Sequence, residues 1–189
     1  MFNVHTHRIP TDSEEQFVLN CNPGAVPLDV KYCSVGLHPW CVDTDWREQV
    51  AQLRRDALLP NVVAIGECGL DAMRGIAKSV QIEAFRAQIE LSQECRKPLI
   101  IHCVRSFDLL FQLHREYSPH ESWMVHGFRG KPQLAMQLVG LGIQLSFGLH
   151  FNPDTLKMLI SSGKSYFLET DDEDVSLREV IEKTRSLSL

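Results

Sequence analysis

The chain has 189 residues, 44% hydrophobic and 23% charged, with a formal net charge of −5 and a pI near 5.9. This mix fits one soluble globular domain over 1–189 and excludes long disorder, collagen-like sequence and a coiled coil. No apolar run approaches the ~20 residues that span a bilayer. The start, Met1-Phe2-Asn3-Val4-His5, lacks a signal-peptide pattern, so a cytoplasmic protein without a membrane partner is expected. The acidic excess argues against a protein that wraps nucleic acid by neutralising phosphates. It does not argue against an enzyme that meets phosphate through bound metal ions. The six cysteines show neither a C-x-x-C pair nor zinc-ribbon spacing and read as unbridged, mostly buried thiols.

In chain order, strand-like runs fall at 2–5, 16–20, 32–37, 62–66, 99–102, 124–126, 144–147 and 166–168. Several are almost continuously apolar, as in parallel strands covered on both faces. Asp45 and Glu48 have capping-box spacing, followed by Val50, Leu53, Ala57 and Leu58 at helical intervals. Ile82, Phe85, Ile89 and Leu91 mark a longer helix that stops near Lys97, before Pro98. Phe107, Leu110, Phe111 and His114 mark another. Asn152-Pro153 opens a helix as cap and first residue, and Ser176 with Glu179 caps the last. Two leading strands and six βα units predict an α/β fold, a compact, abbreviated TIM-barrel-like (β/α) barrel. A doubly wound sheet competes, but its glycine-rich phosphate loop is missing.

The polar residues of interest sit where these strands end. His5-Thr6-His7 places two imidazoles two residues apart, pointing the same way in extended chain. Glu67 follows Val62–Ile65 between glycines that would let a ligand approach. His102 and His126 end two further strands, and Asp171 follows the last. Each has an ordinary explanation alone, such as a satisfied core histidine or a turn aspartate. Jointly they put four imidazoles and two carboxylates at the C-terminal ends of parallel strands, where barrel active sites are built. That is too many donors for one tetrahedral zinc and suits two ions bridged by a carboxylate.

The sequence resembles the TatD family of metal-dependent hydrolases, within the amidohydrolase superfamily. The matching segments are Asn3-Val4-His5-Thr6-His7, Val35-Gly36-Leu37-His38-Pro39, Ala64–Asp71, Pro98–His102, Val125-His126-Gly127-Phe128 and Leu168-Glu169-Thr170-Asp171. The resemblance implies that His5, His7, Glu67 and Asp171 hold one ion and Glu67, His102 and His126 a second. It makes Asp171 and Glu67 the catalytic carboxylates, with Asp171 as proton carrier. It sets His38 beside the site as a contact to the substrate or to a ligand residue, the ordinary alternative being a side chain fixed by Pro39 and Trp40, and Arg105 is the candidate arginine for substrate binding. Cys68 and Cys103 alternate away from the ligands and read as packing.

Three departures stand out: Asn3 where the family usually has Asp, a short 28-residue stretch between His7 and Gly36, and 18 residues after Asp171. The expected activity is phosphoester hydrolysis using up to two divalent ions, whether Zn, Mn, Mg, Ni or Fe. The resemblance implies a nuclease, and because Arg74, Arg105, Arg129 and Lys131 are few for a long footprint, the expected substrate is single-stranded DNA ends or short oligonucleotides. Duplex activity is expected to be low, with a salt slope nearer about −2 than −6. No obligate protein partner is expected. The competing readings are hydrolysis of a small amide, lactone or phosphoester, and a non-catalytic metal-binding relative.

Overall fold

The computed structural model describes residues 1–187. Strands and helices alternate from β3 onward, and paired strands run parallel. The chain divides into two compact units, Met1–Leu19 together with the chain from Met124 onward, and Asn20–Trp123.

In the first unit, β1 (Phe2–Thr6) pairs with the start of β2 (Gln16–Cys21), Phe2 opposite Gln16 and Asn3 opposite Phe17. β6 (Trp123–Val125), β7 (Gln144–Phe147) and β8 (Phe167–Leu168) pair in turn. An isolated parallel bridge from Thr6 to Asp171 continues this sheet onto β1. The ends of β1 and β8 are therefore neighbours, which decides where His5, His7 and Asp171 fall.

The second unit holds β3 (Cys33–Val35), β4 (Val62–Asp71) and β5 (Leu99–Val104). α1 (Trp46–Asp56), α2 (Lys78–Cys95) and α3 (Phe107–Tyr117) connect and cover them. Phe85, Ile89 and Ala84 of α2 are fully buried. Withdrawing a side chain such as Phe85 or Ile89 from water stabilises by about 1.5–3 kcal/mol, so α2 is held mainly by this face. It ends in a left-handed Arg96, before Pro98 as the sequence predicts.

β4 runs ten residues rather than five, so Glu67 lies inside a strand and not after it. Its glycines also act differently from expectation. A Cβ on Gly66 would meet the Ile100 carbonyl oxygen at 2.5 Å, and one on Gly69 would meet the His102 oxygen at 2.1 Å. Both have positive φ, 146° and 134°. The close approach is made by the backbone of β5, not by a ligand.

The helices of the first unit are α4 (Pro132–Gly140), α5 (Pro153–Ser161) and α6 (Leu177–Arg185). Asn152 caps α5 through the Asp154 and Thr155 amides, and Ser176 with Glu179 forms the capping box of α6. The box expected at Asp45 is not formed. That residue lies at φ −100°, ψ 20°, outside extended cap geometry, and its side chain makes no cap bond. The cysteines are less buried than expected: Cys21, Cys33 and Cys68 are buried, Cys95 and Cys103 intermediate, and Cys41 exposed. None forms a disulfide.

Candidate metal centre

In the first unit, extended backbone at Phe2–Thr6 carries His5 into the interior, where it is fully buried. His7 lies just past the strand end and is exposed. Asp171 has a positive φ of 54°, and its carbonyl accepts the His7 amide at 2.9 Å while its own amide donates to the His5 carbonyl at 3.2 Å. The backbone thus holds Asp171 against the H-x-H segment. The Nε2 atoms of His5 and His7 lie 3.6 and 3.5 Å from the same Asp171 Oδ1. These separations exceed hydrogen-bond length. They match the edge of about 3.4 Å between two N/O ligands of one tetrahedral ion with bonds near 2.1 Å. The donor set fits a divalent cation.

His126 follows β6, and its ring centroid is 4.3 Å from that of His5. Its Nδ1 faces Glu169 Oε1 at 3.3 Å. Glu169 is fully buried and also accepts the Gly127 amide at 2.7 Å and the Ser146 hydroxyl. With Nδ1–H directed at this carboxylate, His126 offers Nε2 to a cation. Such a carboxylate behind a ligand histidine fixes its tautomer and orientation.

In the second unit, Glu67 Oε1 is 3.0 Å from His38 Nε2 and 3.1 Å from His102 Nδ1. His38 Nδ1 accepts the Trp40 backbone N–H at 3.1 Å, so in the neutral ring Nε2 carries the proton and donates to Glu67. His38 is therefore placed as a donor that orients Glu67. His102 Nε2 faces Asp71 Oδ2 at 3.1 Å, so each of its ring nitrogens meets a carboxylate oxygen, and with Nε2–H directed at Asp71 it is Nδ1, beside Glu67, that would face a cation. Asp71 is buried, which pushes its carboxyl up, but hydrogen bonds from the Trp40 indole, the Met73 amide and His102 outweigh this. Its pKa lies below the usual value.

Sequence reasoning singled out neither Asp71 nor Glu169 as a functional residue, although both stand in the matching segments. The usable signal was a second carboxylate within four residues of a ligand. Arg105 follows β5 with a positive φ of 49° and an exposed side chain. Burial raises the Cys68 thiol well above its ordinary value, and burial raises that of Cys103 to about 12. Neither thiol is a nucleophile at neutral pH, in keeping with packing. His114 stacks edge-on against Trp123, and His150 pairs with Glu173.

Histidines and carboxylates stand on or just after parallel strands within each unit, and His126 and His102 are each backed by a second carboxylate, which defines a metal-centre protein of the (β/α) class. The chain belongs to the TatD related DNase family, whose profile matches residues 26–175. It is 36% identical over 120 residues to the 3'-5' ssDNA/RNA exonuclease TatD of Rahnella sp. (strain Y9602), covering 62% of this chain and 45% of that protein. It is 33% identical over 122 residues to the uncharacterized metal-dependent hydrolase YabD of Bacillus subtilis (strain 168), covering 64% and 48%. The chain thus spans about half the length of the curated relatives it matches. Among solved structures, the TatD homologue YjjV of Escherichia coli K12 matches with a TM-score of 0.65 at 25% identity, over 78% of this chain and 68% of that one. A TatD family hydrolase from Entamoeba histolytica matches with a TM-score of 0.64 at 15% identity, over 90% and 73%. The TIM-barrel-like class expected from the strand count is the fold of these neighbours.

No helix among the described residues is long and apolar enough to cross a membrane.

Proposed function

We propose that this chain is a metal-dependent phosphodiesterase that shortens single-stranded DNA or RNA from an end, and that 1–189 works as one hydrolase domain. The observation that carries the reading is the pair of imidazoles turned to one Asp171 oxygen at metal-ligand spacing. The Rahnella protein, named a 3'-5' ssDNA/RNA exonuclease, supports the substrate class. The ligand set is the one that the family's motifs assign: His5, His7, Glu67 and Asp171 for one ion, and Glu67, His102 and His126 for the other.

Divalent ions held by these residues would supply Lewis-acid activation of water and neutralise charge on the phosphoryl oxygens. Asp171 accepts the proton from the attacking water and returns it to the leaving oxygen. Glu169 and Asp71 hold His126 and His102 in the tautomers that leave one nitrogen of each for a ligand bond. His38 donates to Glu67 and keeps that carboxylate in place. Arg105 is the side chain we assign to a substrate phosphate. The mixed nitrogen and oxygen donors admit Zn, Mn, Mg, Ni or Fe. Six cysteines without a disulfide suit the cytoplasm.

The test is degradation of an end-labelled single-stranded oligonucleotide, with and without Mn²⁺ or Mg²⁺, beside the same sequence as a duplex. Metal-dependent loss of the single strand with little attack on the duplex is expected. No cleavage of either strand form with any divalent ion overturns the proposal.

A further inference from the structure

We propose that Trp40, with Arg74 beside it, forms a nucleotide subsite in which the indole stacks on one base of the substrate. The inference rests on the single-strand nuclease reading above and names a recognition residue for it. Trp40 is 48% exposed, whereas the other two tryptophans, Trp46 and Trp123, are buried at 8% and 2%. An exposed indole leaves apolar area in water, and stacking against a base would recover it.

This indole is held in place although it is exposed. Its Nε1–H donates to Asp71 Oδ2 at 2.7 Å, and Asp71 Oδ1 accepts the Met73 and Arg74 amides at 2.7 and 3.1 Å. The segment after Asp71 is itself pinned by buried Gln81. Its Nε2 donates to the carbonyls of Asp71, Arg74 and Ile76, while its Oε1 accepts the Asp71 amide. A ring fixed in this way loses little freedom on stacking.

The ring also stands beside the ligand residues. Its centroid is 4.9 Å from that of His38 and 5.6 Å from that of His102, both edge-on rather than stacked. The Arg74 guanidinium lies over one face of the indole, 4.7 Å from its centroid, so a base would stack on the opposite face, with a permanent cation across the ring. A depression of about 200 Å³ lined by Arg74, Gly75 and Lys78 adjoins it. The Asp71 carboxylate also lines this depression, but its oxygens are already committed to Trp40, His102 and two amides. Every base has a π-face, so such a subsite selects nucleic acid over other phosphoesters without demanding a sequence.

The experiment measures binding, not turnover. A short single-stranded thymidine oligonucleotide with phosphorothioate linkages is titrated against the intact protein, and an abasic strand of equal length and charge is titrated beside it. Trp40→Phe keeps a stacking ring but loses the bond to Asp71, whereas Trp40→Ala loses both. We expect the unsubstituted protein to prefer the base-bearing strand by about tenfold and to show quenched tryptophan fluorescence on binding it. Trp40→Phe should keep most of the preference, and Trp40→Ala should erase it. Arg74→Ala should weaken both strands alike. Equal binding of the two strands by the unsubstituted protein overturns the proposal. So does identical behaviour of the Phe and Ala variants, which would mean that the indole serves only to anchor Asp71. If no divalent ion supports cleavage yet the base preference persists, the nuclease reading fails and the subsite stands.

Discussion

Asn3, where the family usually has aspartate, is fully buried, and its Nδ2 donates to Glu15 Oε1 and to Thr170 Oγ1, each at 2.8 Å. Its Oδ1 accepts the Thr170 and His5 amides at 3.2 and 3.3 Å, tying β1 to the turn that carries Asp171. The substitution Asn3→Asp would replace a donor facing Glu15 by a second carboxylate. Two unit charges 2.8 Å apart repel by about 6 kcal/mol at an effective dielectric of about 20. Protonating one carboxyl instead, from an ordinary aspartate value near 3.9, costs about 4 kcal/mol at pH 7 and about 1.5 kcal/mol at pH 5. The smaller cost sets the ceiling, because the protonated acid can again donate to Glu15. A carboxyl whose folded pKa is raised above its unfolded value gains folded-state stability as pH falls, so the defect should shrink on acidification. Urea unfolding of both proteins at pH 7 and pH 5 reads the difference directly. We expect a loss of about 3–4 kcal/mol at pH 7 that falls by more than half at pH 5, with Glu15→Gln restoring most of it at pH 7. A loss below about 1 kcal/mol, or one that does not change with pH, would refute the reasoning.

Glu169→Gln preserves shape but removes the charge behind His126, and second carboxylates of this kind support ligand affinity by about 10–100-fold. Calorimetric metal titration should show a loss in that range in protein that still unfolds cooperatively. The assigned ligand sets imply that purified protein binds up to two divalent ions per chain, with His5→Ala and His102→Ala each removing mainly one, as elemental analysis would read. Burial holds the His114 imidazole below its ordinary value, so the unfolded chain takes up the proton more readily. The contribution of His114 is whole above about 6.5 and is lost as pH falls below it. Thermal unfolding of His114→Gln should therefore depend less on pH between 7 and 5.5 than that of the unsubstituted protein.

Much of the architecture was legible because apolar runs and helix caps are local signals. Asn152-Pro153 and Ser176 with Glu179 mark their helices correctly. The helix Pro132–Gly140 was not placed from the sequence, although Pro132 at its start and Leu134, Ala135 and Leu138 at helical spacing mark it. The length of β4 was not legible either. Gly66 and Gly69 look like loop residues until β5 is known to lie within 2.5 Å of where their Cβ atoms would be. At the candidate site, the histidines stood out because H-x-H and strand-end histidines are rare patterns. Their supporting carboxylates did not. Glu169 meets His126 and Ser146, and Asp71 meets Trp40, only through contacts between residues far apart in the chain. The one local trace of them is a second carboxylate within four residues of a ligand; the contacts themselves no spacing rule records.

The central claim is that Asp171 moves a proton in metal-dependent phosphodiester hydrolysis. It is tested most directly by the hydrolysis of a bis-aryl phosphodiester across a Mn²⁺ titration, in the unsubstituted protein and in Asp171→Asn, with bound metal measured in the same samples. The account predicts a rate that rises and saturates with metal in the unsubstituted protein. It predicts a fall of at least about 100-fold in the variant at saturating metal, the scale of lost general acid–base catalysis. Equal rates in the two proteins, or a rate that a chelator leaves unchanged, would contradict it.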